Sequence, residues 1–194
     1  MSVYIAKINT PRGPISSIHC ALYACLPPRP EGSKRPFVWR VADGGRSIVF
    51  VSSEMPIVPH ATISLEAGRS YEFAITYTRD KHVGKKKARH LVEINSMLDL
   101  RDRISHFAGS YGGSVGFVRH EHMRTLHVRR QNEHLEMPIV DAYGRVVVED
   151  PVAFEQVVLQ GGPGGAKVYG CGMWWLPEIM EPALSPAKLE RIAA

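Results

Sequence analysis

Cysteine is scarce in this sequence and long apolar runs are missing, and each shortage removes a class of protein. The cysteines are Cys20, Cys25 and Cys171, an odd number with no CxxC pair, so neither a disulfide framework nor a thiolate zinc site is built from them. No stretch approaches the roughly 18 uninterrupted apolar residues of a membrane-spanning helix. The opening Met-Ser-Val-Tyr-Ile-Ala-Lys has no basic segment followed by an apolar core, as a secretory signal would. The expectation is a cytoplasmic protein with no membrane partner. Two phosphate-binding loops are missing as well. In the glycine-rich segment GGPGGAKVYGCG (Gly161–Gly172), Lys167 is followed by Val168 rather than Ser or Thr, and the order is helix to strand. That excludes a P-loop and a dinucleotide-binding fingerprint.

What is present is ordinary for a soluble globular chain: 194 residues, 44% hydrophobic and 22% charged, enough for one larger domain or two small ones. The net charge of +5 and pI near 9.2 fit a polyanionic partner without demanding one. Distribution says more than the total. Lys81, Lys85, Lys86, Lys87 and Arg89 crowd one stretch, and Arg119, Arg124, Arg129 and Arg130 another. Each is a solvated face or a contact for a nucleic-acid backbone, and two clusters beside strand-forming sequence favour the second.

Hydrophobic period and turn residues predict the elements. Val3–Asn9 reads as a strand and Ile15–Leu26 as a short amphipathic helix, with Pro14 ahead of it and Pro27, Pro28 and Pro30 ending it. Phe37–Val41 and Ser47–Ser52 read as a hairpin around Asp43-Gly44-Gly45, and Tyr71–Tyr77 as the next strand. That order, β-α-β-β-β, is a ferredoxin-like unit with its second helix barely visible. The second half predicts a helix over Leu91–Phe107, a strand pair Ser114–Arg119 and Arg124–Arg130, and a strand Arg145–Glu149. A helix capped by Asp150-Pro151, a closing strand Lys167–Leu176 and a tail from Ala183 follow. The fold class expected is α+β, two tandem ferredoxin-like (RRM-like) domains, 1–85 and 86–180, with a tail 181–194.

Chemistry has two candidate places. On the predicted first helix, Ser16, His19 and Tyr23 share the flank beside the apolar stripe, so His19 is either a boundary histidine or a proton-transfer group. The glycine-rich segment is either a structural turn or a loop whose amides approach a ligand. His120 and His122 share one face of a strand turn and offer at most an adventitious metal contact, but no histidine pair has convincing metal-ligand spacing, and no metal or other cofactor is expected.

The stretch IHCALYACLPPRP (Ile18–Pro30), then FVWRV, then IVFVSSEMP (Ile48–Pro56), resembles the CRISPR RNA-processing endoribonucleases of the CasE kind. The C-terminal run of strand, helix, Gly162–Lys167, Gly170-Cys171-Gly172 and a hydrophobic segment is similar to the glycine-rich signature of the same RAMP superfamily. The resemblance implies two ferredoxin-like domains gripping the repeat hairpin of CRISPR precursor RNA and cutting at the 3′ base of its stem without a metal. It implies a 2′,3′-cyclic phosphate product, mature crRNA retained in an effector complex of type I-E or type IV, and no direct DNA contact. The family histidine falls on His19, with Tyr23 and Ser16 as its neighbours; Ser16 stands where such enzymes commonly carry tyrosine. RNA contacts are expected from Arg79, Lys81, Lys85, Lys86, Lys87, Arg89, Arg124, Arg129 and Arg130, and from Gly162, Gly164 and Lys167. The alternative is a non-catalytic hairpin-binding subunit of the same fold. An unrelated RRM adaptor lacks support, because Gly116-Phe117-Val118 is only a fragment of an RNP-like run.

Overall fold

The computed structural model describes residues 2–83, 90–130 and 133–192. Its first sheet is built from β1 (Val3–Asn9), β2 (Phe37–Ala42), β3 (Ser47–Ser52) and β4 (His60–Ile63), in the order β2-β3-β1-β4. All neighbours are antiparallel, with Ala6 opposite Phe50, Trp39 opposite Phe50 and Ile5 opposite Ala61. Strand alternation sends residues to two different cores. Ala6, Phe37, Trp39, Ile48 and Phe50 pack under α1 (Ile15–Ala24) with Leu22, Cys25 and Leu26. Val3, Ile5, Val38, Val49 and Val51 face the other way, into the larger core.

The second sheet holds β5 (Ser70–Thr78), β8 (Gly113–Arg130) and β9 (Glu133–Val148) in the order β5-β9-β8. A small hairpin of β6 (Asp80–Val83) and β7 (His90–Glu93) leads to α2 (Met97–Gly109), whose first turn is capped by the Ser96 hydroxyl accepting from Asp99 N. After β9 the Asp150 carboxylate accepts from Ala153 N and Pro151 opens α3 (Pro151–Gln160), the expected start signal. Trp175 then exchanges both backbone bonds with Ala74 on β5, at 2.8 and 2.9 Å. This single bridge occupies the position of a fourth strand. The order Trp175-β5-β9-β8 therefore repeats β4-β1-β3-β2 of the first sheet, and the fold is a tandem of ferredoxin-like units. Two short helices, α4 (Pro177–Ala183) and α5 (Pro186–Ile192), follow and pack on β4.

Four expectations are corrected. Tyr71–Tyr77 lies in β5 and pairs with β9, not with the first sheet, so the sheets change over between Ile63 and Ser70. The fourth strand of the first sheet is instead the short HATI of β4, paired with β1. The predicted helix from Leu91 begins only at Met97, because β7 uses His90–Glu93 to close its hairpin. Ser114–Arg119 and Arg124–Arg130 are one long strand with irregularities at Val115/Phe117 and His120/Met123, bulges that interrupt the two-residue alternation. Lys167–Leu176 forms a 3-10 turn (Lys167–Tyr169) and the Trp175 bridge instead of a strand, since Ala166 and Gly170 take left-handed conformations on either side of the turn.

Candidate functional site

α1 lies over the edge strand β2, and one flank carries Ser16 and Tyr23, both exposed, with His19 half-buried between them. His19 sits edge-on to Trp39, ring centroids 6.2 Å apart, and Tyr23 edge-on to Phe37 at 5.1 Å. Trp39 and Phe37 are i and i+2 on β2, so the strand presents one aromatic support to each turn of the helix. The His19 Nε2 is 2.6 Å from the backbone oxygen of Val168. A carbonyl oxygen only accepts, so Nε2 carries a proton and Nδ1 is left with the lone pair in the neutral ring. Ser16 is exposed and helps line, with Trp39, His127 and Tyr169, a groove of ≈ 920 Å³. Tyr23 is 45% exposed.

Val168 belongs to the glycine-rich segment, so the two parts singled out from opposite ends of the chain meet. The segment is pressed between the two sheets. A Cβ at Gly162 would lie 2.2 Å from Ile75 Cδ1, and one at Gly164, where φ is +92°, 2.3 Å from Thr78 Oγ1. Its amides turn inward: Gly162 N donates to Gly172 O, Gly172 N to Thr76 O and Gly165 N to Thr78 Oγ1. Of the two readings of this segment, these inward bonds fit the structural turn, because backbone donors packed against protein must find protein acceptors. Lys167 donates through Nζ to the last carbonyls of α3, Gln160 O at 2.8 Å and Gly161 O at 3.4 Å. Burial lowers its pKa, and the charge of Arg35 lowers it further.

Arg35, which the sequence reading did not single out, borders the same region. It follows Lys34 just before β2, lies over the Phe37 ring at 5.6 Å, and shares a groove of ≈ 410 Å³ with Lys167. The signal was a Lys-Arg pair entering a strand beside the candidate helix.

The other expected contacts fall into three groups. Arg79 is turned inward, 11% exposed, its guanidinium 2.6 Å from Glu93 and 2.8 Å from Asn95 Oδ1. Arg124 stands on β8, paired with Asp141 at 3.2 Å. Arg129 and Arg130 lie at the far end of β8, opposite His134 and Glu133. Lys81 lies on β6, opposite Val92; Lys85, Lys86, Lys87 and Arg89 lie outside the described residues. β5 accompanies β9 only from Val147 to Ile139, while β8 and β9 stay paired to Arg130 and Glu133. The distal hairpin therefore extends as a two-stranded arm. Of the two strand histidines, His120 is spoken for by Tyr77 Oη at 2.8 Å and His122 is exposed. Among the described residues no three His, Cys, Asp or Glu side chains converge as a metal site would need, and no helix is long and apolar enough to cross a membrane.

Against known proteins, the family model described as "CRISPR associated protein" matches residues 12–177. No curated sequence is similar enough to match. Among solved structures, the CRISPR endoribonuclease Cse3 bound to a 19-nucleotide RNA superposes with a TM-score of 0.72 at 16% identity, covering 91% of this chain and 99% of that one. The CRISPR-associated protein Cas6e from Escherichia coli K-12 superposes with 0.65 at 18% identity, covering 89% and 98%. A chain of a CRISPR RNA-guided surveillance complex gives the same TM-score, identity and coverage. At these identities the superpositions establish a shared fold.

Proposed function

The chain belongs to the CRISPR-associated protein family matched over residues 12–177, and from that premise we propose that it is an endoribonuclease. It binds the repeat hairpin of CRISPR precursor RNA, cuts at the 3′ base of the stem and retains the mature crRNA as a subunit of an effector complex. One observation carries the reading: His19 Nε2 meets the Val168 carbonyl of the glycine-rich segment at 2.6 Å. That contact orients the ring so that Nδ1 is the free base.

The reaction needs no metal. Nδ1 of His19 takes the proton of the ribose 2′-hydroxyl, the 2′-oxygen forms a bond to the adjacent phosphorus, and the bond from phosphorus to the 5′-oxygen breaks. The 5′-oxygen leaves with a proton from the Tyr23 phenol, and the products are a 2′,3′-cyclic phosphate and a 5′-hydroxyl. General acid–base assistance of this kind contributes about 10²–10⁴-fold. Ser16, one turn before His19, offers a hydroxyl to the ribose. Arg124 at the base of the arm and Arg129 and Arg130 on it, with Lys81 and the Lys85–Arg89 stretch, supply phosphate contacts that hold the stem. Gly162 and Gly164 serve the RNA indirectly, by seating the loop that carries Lys167 and Val168.

The test is cleavage of a hairpin repeat RNA in chelator. Wild type is expected to give a shortened product with a cyclic phosphate end, and His19→Ala to lose about 10²-fold or more in rate while still binding the hairpin. Unchanged cleavage by His19→Ala would remove the histidine from the mechanism. Ser16, in place of the tyrosine the resemblance leads one to expect, favours a second reading, a hairpin-binding subunit without activity. That reading requires tight hairpin binding by wild type with no product.

A further inference from the structure

Lys167 is one of the expected phosphate contacts, yet its ammonium is already engaged with the carboxyl end of α3. Beside it lies a cation with no such occupation. Arg35 has one guanidinium nitrogen, Nη1, sealed from solvent with no hydrogen-bond partner. Among the described residues, neither Arg35 nor Lys167 forms an ion pair with a carboxylate. The groove they share is lined by Lys34, Arg35 and Lys167 together with Pro36, Ser53 and Gln160, and no acidic side chain lines it. Glu54, next to Ser53 of the lining, is held by Arg29 at 2.9 Å.

The position of Arg35 is built. Arg29 bridges Glu54 and the Lys34 backbone oxygen, which fixes the residue immediately before Arg35. The Phe37 ring then supports the guanidinium from below. Phe37 also carries Tyr23, so Arg35 stands at the Tyr23 end of the row His19, Tyr23, Arg35. The lowered pKa of Lys167, due to burial and then to Arg35, fits two like charges held close with nothing of opposite sign between them. A guanidinium left with unpaired donors beside an ammonium is a site for a doubly coordinated anionic oxygen.

We infer that Arg35 and Lys167 clamp the scissile phosphodiester in the groove between the start of β2 and the end of α3, with Arg35 making the direct contact to a non-bridging oxygen. The inference rests on the reading of the chain as an endoribonuclease, and it assigns the stabilisation of the phosphorane to a residue outside the glycine-rich segment. Lys167 contributes its field while its ammonium ties α3 to the segment.

The test is single-turnover cleavage of hairpin RNA carrying stereodefined phosphorothioates at the scissile position, with wild type and Arg35→Gln. Loss of one preorganised donor is expected to slow cleavage about 10²-fold with hairpin affinity changed far less. Sulfur in place of the contacted oxygen slows wild type, and that slowing disappears in Arg35→Gln. Arg35→Lys keeps the charge, secures folding if the glutamine variant is unstable, and recovers only part of the rate. Cleavage by Arg35→Gln at the wild-type rate, or a sulfur effect undiminished in that variant, overturns the clamp. Should wild type itself leave the RNA uncut, the endoribonuclease reading fails instead, so the two failures are distinct.

Discussion

Gly162 and Gly164 act at the scale of single atoms. Neither has room for a methyl group: the nearest atoms to a built Cβ are Ile75 Cδ1 at 2.2 Å and Thr78 Oγ1 at 2.3 Å. Gly164 also has a positive φ of 92°, which strains any residue with a side chain. Gly165, next along, would meet nothing within 4 Å. Gly162→Ala and Gly164→Ala are therefore expected to destabilise the protein by about 1–3 kcal/mol through overpacking, and Gly165→Ala to stay within about 0.5 kcal/mol of wild type. Urea unfolding midpoints measure the contrast. Equal stability of all three variants would show that the loop adjusts and that the glycines are not there to seat it against β5. His19 depends on that seating, since the acceptor that orients it is Val168 in the same segment.

Between elements, the Tyr77 hydroxyl joins β5, α2 and β8. It donates its one proton to Leu100 O at 3.0 Å, so the His120 Nε2–H, 2.8 Å away, donates to the phenol oxygen. Burial lowers the His120 pKa below its ordinary value of 6.5 and raises that of Tyr77. In the unfolded chain the imidazole titrates near 6.5, so between the two pKa values the unfolded state holds more protons and stability rises with pH. As pH falls below about 6.5 that stability is progressively lost. His120→Gln keeps an amide donor without the titration, and its unfolding midpoint is expected to fall less over the same range. Parallel pH profiles for the two proteins would exclude the linkage. The elements also show what sequence can carry. Strands β1, β2 and β3 were legible because apolar alternation is bounded by proline, glycine and aspartate. YEFAITY revealed which face of β5 is buried but not which strand lies beside it, since alternation is blind to neighbours. β8 was split in two because its bulges interrupt the period. At the site, His19 was legible from its place on the helical flank beside the apolar stripe, while Arg35 depends on a loop that brings residues 35 and 167 together across the fold.

Across the whole molecule, the two ferredoxin-like units share a core. Val3, Ile5, Val38, Val49 and Val51 of the first sheet belong to the same buried cluster as Phe73, Ile75, Tyr77, Val140 and Ala142 of the second. Helix α3 is the joint. It packs on β1, β2 and β3, while its Phe154 meets Trp174 at 5.5 Å, which in turn meets Phe73 of β5 at 4.8 Å. The first sheet has no crossover helix of its own between β3 and β4, and α3 covers the face left open. The smaller cluster under α1 cannot support that sheet alone, because the strands would then expose their other apolar face to water. The glycine-rich segment adds a second tie, running from α3 past β2 to the bridge with β5. A single cooperative unfolding transition is therefore expected, with far-ultraviolet and near-ultraviolet circular dichroism giving coincident urea midpoints. Val157→Ala, in the buried face of α3, should shift both signals together by about 2 kcal/mol. Two separated transitions, or a shift confined to one probe, would mean that each unit holds its own core and that α3 does not join them.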